Sequence, residues 1–240
     1  MGFFVKVWYH SKKQQGDLMK ILLVNDDGID APFLAFAQQE LQKRGQVYVV
    51  APMEEQSGKS LSISMKDQEF VQKNDTVYAL DGTPADCVNF GLFGLNLVPD
   101  LVVSGVNSGY NLGMDMKYSG TVGAALQANY QGYPAIAFSS DNRGDQLLRA
   151  HFLETLEYLM DKNLISPNYV LNVNFPLERS KKFRGFKHTN LYHLKYSYQG
   201  EIVGNRFRKK RKRLAEDLPK DSDRYAVENG YVSITKLYLA

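Results

Sequence analysis

The sequence predicts a doubly wound, three-layer α/β fold on a mostly parallel sheet, followed by a β-rich extension. Three observations carry this expectation. Over residues 19–178, short continuous apolar runs alternate with segments whose apolar residues recur every three or four positions. Unbroken apolar runs suit strands buried on both faces, as in a parallel sheet with right-handed crossovers. After Pro176 the helical periodicity fades, and aromatic and basic residues interleave. Residues 179–240 therefore read as an extension, and residues 1–18 as a leading segment before a start at Met19.

The elements follow in order. KILLVN is the first buried strand. DDGIDAP is a turn, and the helix after it has Pro32 in its first turn and Gly45 just past its end. QVYVVAP is the second strand, and a Ser/Gly-rich loop, EEQSGKS, leaves it. LSISM and TVYAL carry short β patterns. TPADCVNFGLFGL is a helix with Thr83 as N-cap and Pro84 at the first position. DLVVSG is a buried strand, followed by the long loop VNSGYNLGMDMKYSG and the helix TVGAALQANYQ. PAIAFSS and NYVLNVNFP are strands on either side of the helix QLLRAHFLETLEYLMDK, and GYVSITKLYL closes the chain as a strand.

Composition narrows the function classes. The 240 residues are 44% hydrophobic and 23% charged, which excludes collagen-like and disordered chains. Cys87 is the only cysteine, which excludes a disulfide framework and a Cys-rich zinc site and fits a reducing, cytoplasmic compartment. No apolar window of about 18 residues predicts a membrane helix. The first residues lack a small-residue cleavage site, so no signal peptide is expected. The net charge of +3 is local, because RFRKKRKR, Arg206 to Arg213, holds seven of the 29 Lys and Arg. A solvated hairpin tip is the expected role of that run; nucleic-acid binding is its rival.

Chemistry belongs at the carboxyl ends of the strands of an open parallel sheet. Three loops there stand out. In LLVNDDG, the adjacent Asp26 and Asp27 either repel one another until a divalent cation relieves them, or cap and solvate a turn. In EEQSGKS, Gly58-Lys59-Ser60 mimics the end of a Walker A motif, but Met53 stands where its first glycine belongs and a β pattern follows. Ser57 and Gly58 can still offer a hydroxyl and an N–H, unless the loop is merely polar. In SGVNSGYNLGMDMKYSGTVGAA, Asn107 and Asn111 supply oxygen ligands or amide donors. Ser119, Gly120 and Thr121 open a helix whose N-terminus can hold phosphate, or Ser119 simply caps it. Oxygen ligands alone suit Mg²⁺ or Mn²⁺ rather than zinc. Two adjacent aspartates do not fit the spaced pair of a haloacid-dehalogenase-type phosphatase.

Taken in order, LLVNDDG, APMEEQSG, DGTPADCVNFGL, PDLVVSGVNSGYNLGMDMKYSGTVGAA, LNVNFP and GYVSIT resemble the SurE family, metal-dependent nucleoside monophosphate phosphatases. The resemblance covers residues 20–176 and resumes at about 225–237. It implies a Rossmann-like three-layer core and hydrolysis of nucleoside 5′- and 3′-monophosphates by metal-activated water. It implies one divalent cation per subunit on Asp26, Asp27, Ser57 and Asn107, with Asp26, Asp27 and Asn107 catalytic. Gly58, Asn111, Ser119, Gly120 and Thr121 would line the phosphate. It also implies homodimers or homotetramers formed through the C-terminal extension. RFRKKRKR and DSDRYAVENG depart from the family's usual tail. A non-catalytic nucleotide-binding module on the same fold is the alternative, and it would need the loops but not the paired carboxylates.

Overall fold

A computed structural model describes residues 18–141, 144–177 and 182–239, so the leading segment lies outside the described residues except for Leu18. The main sheet is built from β1 (Met19–Val24), β2 (Gly45–Pro52), β3 (Phe70–Asn74), β4 (Val77–Leu80), β5 (Leu101–Ser108), β6 (Ala135–Ser140), β7 (Val170–Asn174), β8 (Phe186–His188) and β11 (Val232–Leu237). These nine strands lie in the order β3-β4-β2-β1-β5-β6-β7-β11-β8. Pairing is parallel except at β3–β4 and β7–β11, which bears out the mostly parallel, three-layer α/β fold.

Alternation along the central strands supplies both layers. Ile21, Leu23, Leu101, Val103, Ile136 and Phe138 face α1 (Pro32–Gln42) and α4 (Gln146–Asp161). Leu22, Val24, Val102, Ala135 and Ala137 face α2 (Pro84–Asn89) and α3 (Gly120–Tyr130). Strands that are apolar at every position are thereby buried twice over. Phe152 of α4 packs among Phe36, Phe138 and Phe175, with ring centroids 5.1–6.3 Å away. Cys87 is fully buried in α2, and burial pushes its thiol pKa up, so it is a packing residue.

Local signals held where a specific residue fixes geometry. Pro32 opens α1, and Thr83 and Asp86 form a capping box at α2. α2 continues as a π-helical turn, Phe90–Gly94. Two expectations fail. LSISM is not a strand, because Thr83 Oγ1 donates to Ser62 O (2.6 Å) and Ser64 N donates to the Asp86 carboxylate (3.1 Å). Those bonds fasten the segment to the start of α2 instead of to a ladder. The glycine-rich loop is shorter than it reads, because β5 runs to Ser108 and a 3₁₀ helix fills Gly113–Tyr118.

The C-terminal segment divides in two. β11 and β8 complete the main sheet, while β9 (Tyr196–Val203) and β10 (Arg206–Arg213) form a separate antiparallel ribbon. Along the chain, α5 (Asp223–Glu228), capped by Ser222, lies between the ribbon and β11. No helix among the described residues is long and apolar enough to cross a membrane.

Candidate functional site

The chain leaves β1 for β2 on one side, then returns to place β5 on the other side of β1. The strand order reverses there, and the carboxyl ends of two such strands leave a crevice between them. β1 leads into Asn25-Asp26-Asp27, and β5 ends in Asn107-Ser108.

Asp26 is almost fully buried. Thr121 Oγ1 donates to its Oδ1 at 2.5 Å, and the Thr121 N–H also reaches this carboxylate, so Asp26 sits at the N-terminus of α3. Burial raises its pKa to about 6, the Thr121 hydroxyl opposes that rise, and the Asp27 charge adds to it. Asp27 is half-buried, and its Oδ2 accepts from Ser108 N at 3.0 Å. Its pKa is also raised, first by burial and further by the nearby Glu55 charge, against the pull of the Ser108 bond.

The second loop is tied to the first through the backbone. Gln56 N donates to Asp26 O at 2.7 Å, which holds this loop against the end of β1. Ser57 is exposed and donates to Glu55 Oε1 at 2.6 Å. Gly58 has a φ of +75°, a left-handed turn that glycine adopts without strain. Ser60 N and Oγ then bond Tyr118 O and Lys117 O, laying this loop across the third one. No helix follows Ser60, in keeping with the rejected Walker A reading.

In the third loop, Asn107 Nδ2 donates to Gly109 O at 2.9 Å, a bond that does not use its amide oxygen. Ser119 caps α3, accepting from Val122 N at 3.1 Å. Gly120 lies against Asp26, where a Cβ would come within 2.9 Å of the Asp26 Cβ. Asn111 is buried, and its Nδ2 donates to Ser139 Oγ at 2.8 Å. Asn172 Nδ2 and Asn174 Oδ1 bind its backbone O and N. Asp223 holds the same loop from the far end, accepting from Gly113 N at 2.7 Å.

The structure therefore sets Thr121 and Gly120 directly against Asp26, bonds Asp27 to Ser108 next to Asn107, and ties the loop that carries Ser57 and Gly58 to the Asp26 backbone through Gln56. Asn111 and Ser119 shape the loop. Sequence reasoning missed Asn172, Asn174 and Asp223. Asparagines alternating inside an apolar strand, as in LNVNF, were the available signal, since a buried amide requires partners.

A hard divalent cation fits this donor set. Burial disfavours both ionised carboxylates, and an opposing positive charge relieves that cost. Among the described residues no cluster of three or more His, Cys, Asp or Glu forms, so a cation on this pair would need neutral oxygens to complete its shell.

The family model described as Survival protein SurE matches residues 21–198. A protein named 5′-nucleotidase SurE from Pseudomonas aeruginosa (strain LESB58) is 40% identical over 92% of each chain. One of the same name from Geotalea uraniireducens (strain Rf4) is 39% identical over 92% of this chain and 93% of its own. The crystal structure of the SurE protein from Aquifex aeolicus superposes with a TM-score of 0.82 at 33% identity, covering 92% of this chain and 94% of that one.

Proposed function

The chain belongs to the SurE family, and from that premise we propose that it is a metal-dependent phosphatase acting on nucleoside 5′-monophosphates, and on 3′-monophosphates as well. The observation that carries this reading is the buried Asp26 beside Asp27 at the sheet's reversal point, held against the start of α3.

In this reading Asp26, Asp27, Ser57 and Asn107 hold one Mg²⁺ or Mn²⁺ ion per subunit. When bound, such an ion neutralises phosphate charge and acidifies a coordinated water. Phosphate monoester hydrolysis is among the slowest uncatalysed reactions, so charge stabilisation and positioning must supply most of the acceleration. Asp27 keeps Oδ1 outside its bond to Ser108 and is only half-buried, so it is the carboxylate that orients a water and takes its proton. Asp26 is held rigid by both Thr121 donors. The Gly120 N–H and the Ser119 hydroxyl receive phosphate oxygens at the helix N-terminus, with Gly58 across the crevice and Asn111 fixing the loop beneath.

The ribbon tip exposes Ile202 (79%) and Phe207 (70%). Covering such apolar side chains with a second copy supports a homodimer or homotetramer formed through the C-terminal segment. A buried, reduced Cys87 supports a cytoplasmic setting.

The test is phosphate release from 5′-AMP, 5′-GMP and 3′-AMP with Mg²⁺ or Mn²⁺, with and without chelator. Release that stops in chelator is expected. A non-catalytic nucleotide-binding module would bind these nucleotides and release no phosphate.

A further inference from the structure

We propose that the cavity between the 3₁₀ helix and the base of the β9–β10 ribbon is the subsite for the nucleobase of the substrate. The cavity has a volume of about 170 Å³. Met114 and Tyr118 line it from the 3₁₀ helix, Tyr196 and Tyr198 from β9, and Arg211 and Arg224 from the C-terminal segment.

The lining suits a flat heteroaromatic ring. Tyr rings and a thioether offer polarisable faces, and base–aromatic stacking tolerates any base. The Arg211 guanidinium lies 4.8 Å from the Tyr196 ring centroid, and Tyr196 and Tyr198 are 6.2 Å apart. Arg211 is neutralised by Asp115 at 3.0 Å. Arg224 lies beside the Asp223 carboxylate, whose charge it opposes, so the wall is only weakly positive. That is poor for a bare phosphate and good for a π-system with acceptor atoms. The Arg224 Nε is buried with no hydrogen-bond partner among the described residues. The volume lies below the roughly 300–1,000 Å³ of sites that enclose a whole drug-sized ligand, so it takes one ring system with the rest of the molecule outside.

Along the chain the rim of the cavity adjoins the start of α3. Tyr118 immediately precedes Ser119 and is three residues from Thr121, which bonds Asp26. Three residues span at most about 11 Å, a gap that one ribose phosphate bridges. The two walls are held together by the buried Asp223, which accepts from Gly113 N (2.7 Å) on one side and Tyr192 N (3.1 Å) on the other.

This inference rests on the nucleotidase reading, and the experiment separates the two. Phosphate release from 5′-AMP and from ribose 5-phosphate is measured with Mn²⁺ for the full chain, Tyr196→Ala and Tyr196→Phe, and 5′-AMP binding is measured by calorimetry for all three. Tyr196→Ala should lower the ratio of kcat/KM for 5′-AMP over ribose 5-phosphate by about five- to hundredfold, the range that stacking provides. Tyr196→Phe should restore it. A ratio preserved within about twofold overturns the subsite while the phosphatase stands. If the full chain hydrolyses neither ester yet 5′-AMP binding depends on the Tyr196 ring, the phosphatase reading falls and the subsite stands. If neither release nor ring-dependent binding occurs, both fall.

Discussion

Thr121 Oγ1 donates to Asp26 Oδ1 at 2.5 Å, joining the first turn of α3 to the end of β1 across 95 residues of sequence. The bond fixes which way the buried carboxylate points. Thr121→Val keeps the shape and removes the hydroxyl. Groups that orient a ligating carboxylate are commonly worth about 10–100-fold in metal affinity or activity. A fall of that size in kcat, or in Mn²⁺ affinity by calorimetry, is expected with the far-UV spectrum unchanged. Full activity would mean the backbone N–H of Thr121 suffices.

Asp26→Asn separates stability from function. The ionised carboxylate is disfavoured by burial, which raises its pKa to about 6 from 3.8. The folded state therefore loses stability as pH rises from 3.8 through about 6, and a neutral amide of the same shape escapes that loss. Turnover should fall by about 10²–10³-fold or more, as it does when a key charge-stabilising group is removed. The thermal midpoint of the metal-free protein at neutral pH should hold or rise. Phosphate release and calorimetric melting read the two arms, and a lower midpoint with retained turnover would contradict both.

Gly120→Ala tests the close approach of α3 to β1. The new Cβ would lie 2.9 Å from the Asp26 Cβ and 3.1 Å from Pro84 Cγ. Overpacking of this kind costs about 1–3 kcal/mol. A matching loss in unfolding free energy is expected, together with a fall in kcat/KM of more than about tenfold as Asp26 is displaced. Denaturant unfolding and phosphate release check it.

How far the sequence disclosed this site depends on range. Pro32, Thr83 and Ser119 act on their own helices, so their roles were legible locally. The buried runs showed the sheet because both of its faces are covered. LSISM misled because alternation describes a strand only where a neighbouring ladder exists, and Thr83 and Asp86 claim its backbone first. Paired acids were visible as DD, but nothing local shows that Thr121 or Ser108 would bond them. Likewise nothing in DSDRYAVENG marks Asp223 for a role in the glycine-rich loop, and only the fold brings Gly113 to it.

That buried contact gives the last prediction. Asp223 accepts from Gly113 N (2.7 Å), Arg224 N (2.7 Å) and Tyr192 N (3.1 Å). Burial nevertheless dominates and holds its pKa above 3.8, with those donors and the Arg224 charge pulling the other way. Between 3.8 and the raised value the folded chain binds more proton than the unfolded chain. The stability Asp223 contributes is therefore largest in acid and falls as pH climbs through the folded pKa. Asp223→Asn does not titrate and also sets an amide N–H₂ against the Gly113 N–H, an unsatisfied pair costing about 1–3 kcal/mol. The variant should be less stable throughout, and its deficit relative to the parent chain should narrow from about pH 4 to about pH 7. Urea unfolding across that range measures the gap. A deficit that widens instead would mean the three N–H donors outweigh burial and the folded pKa lies below 3.8.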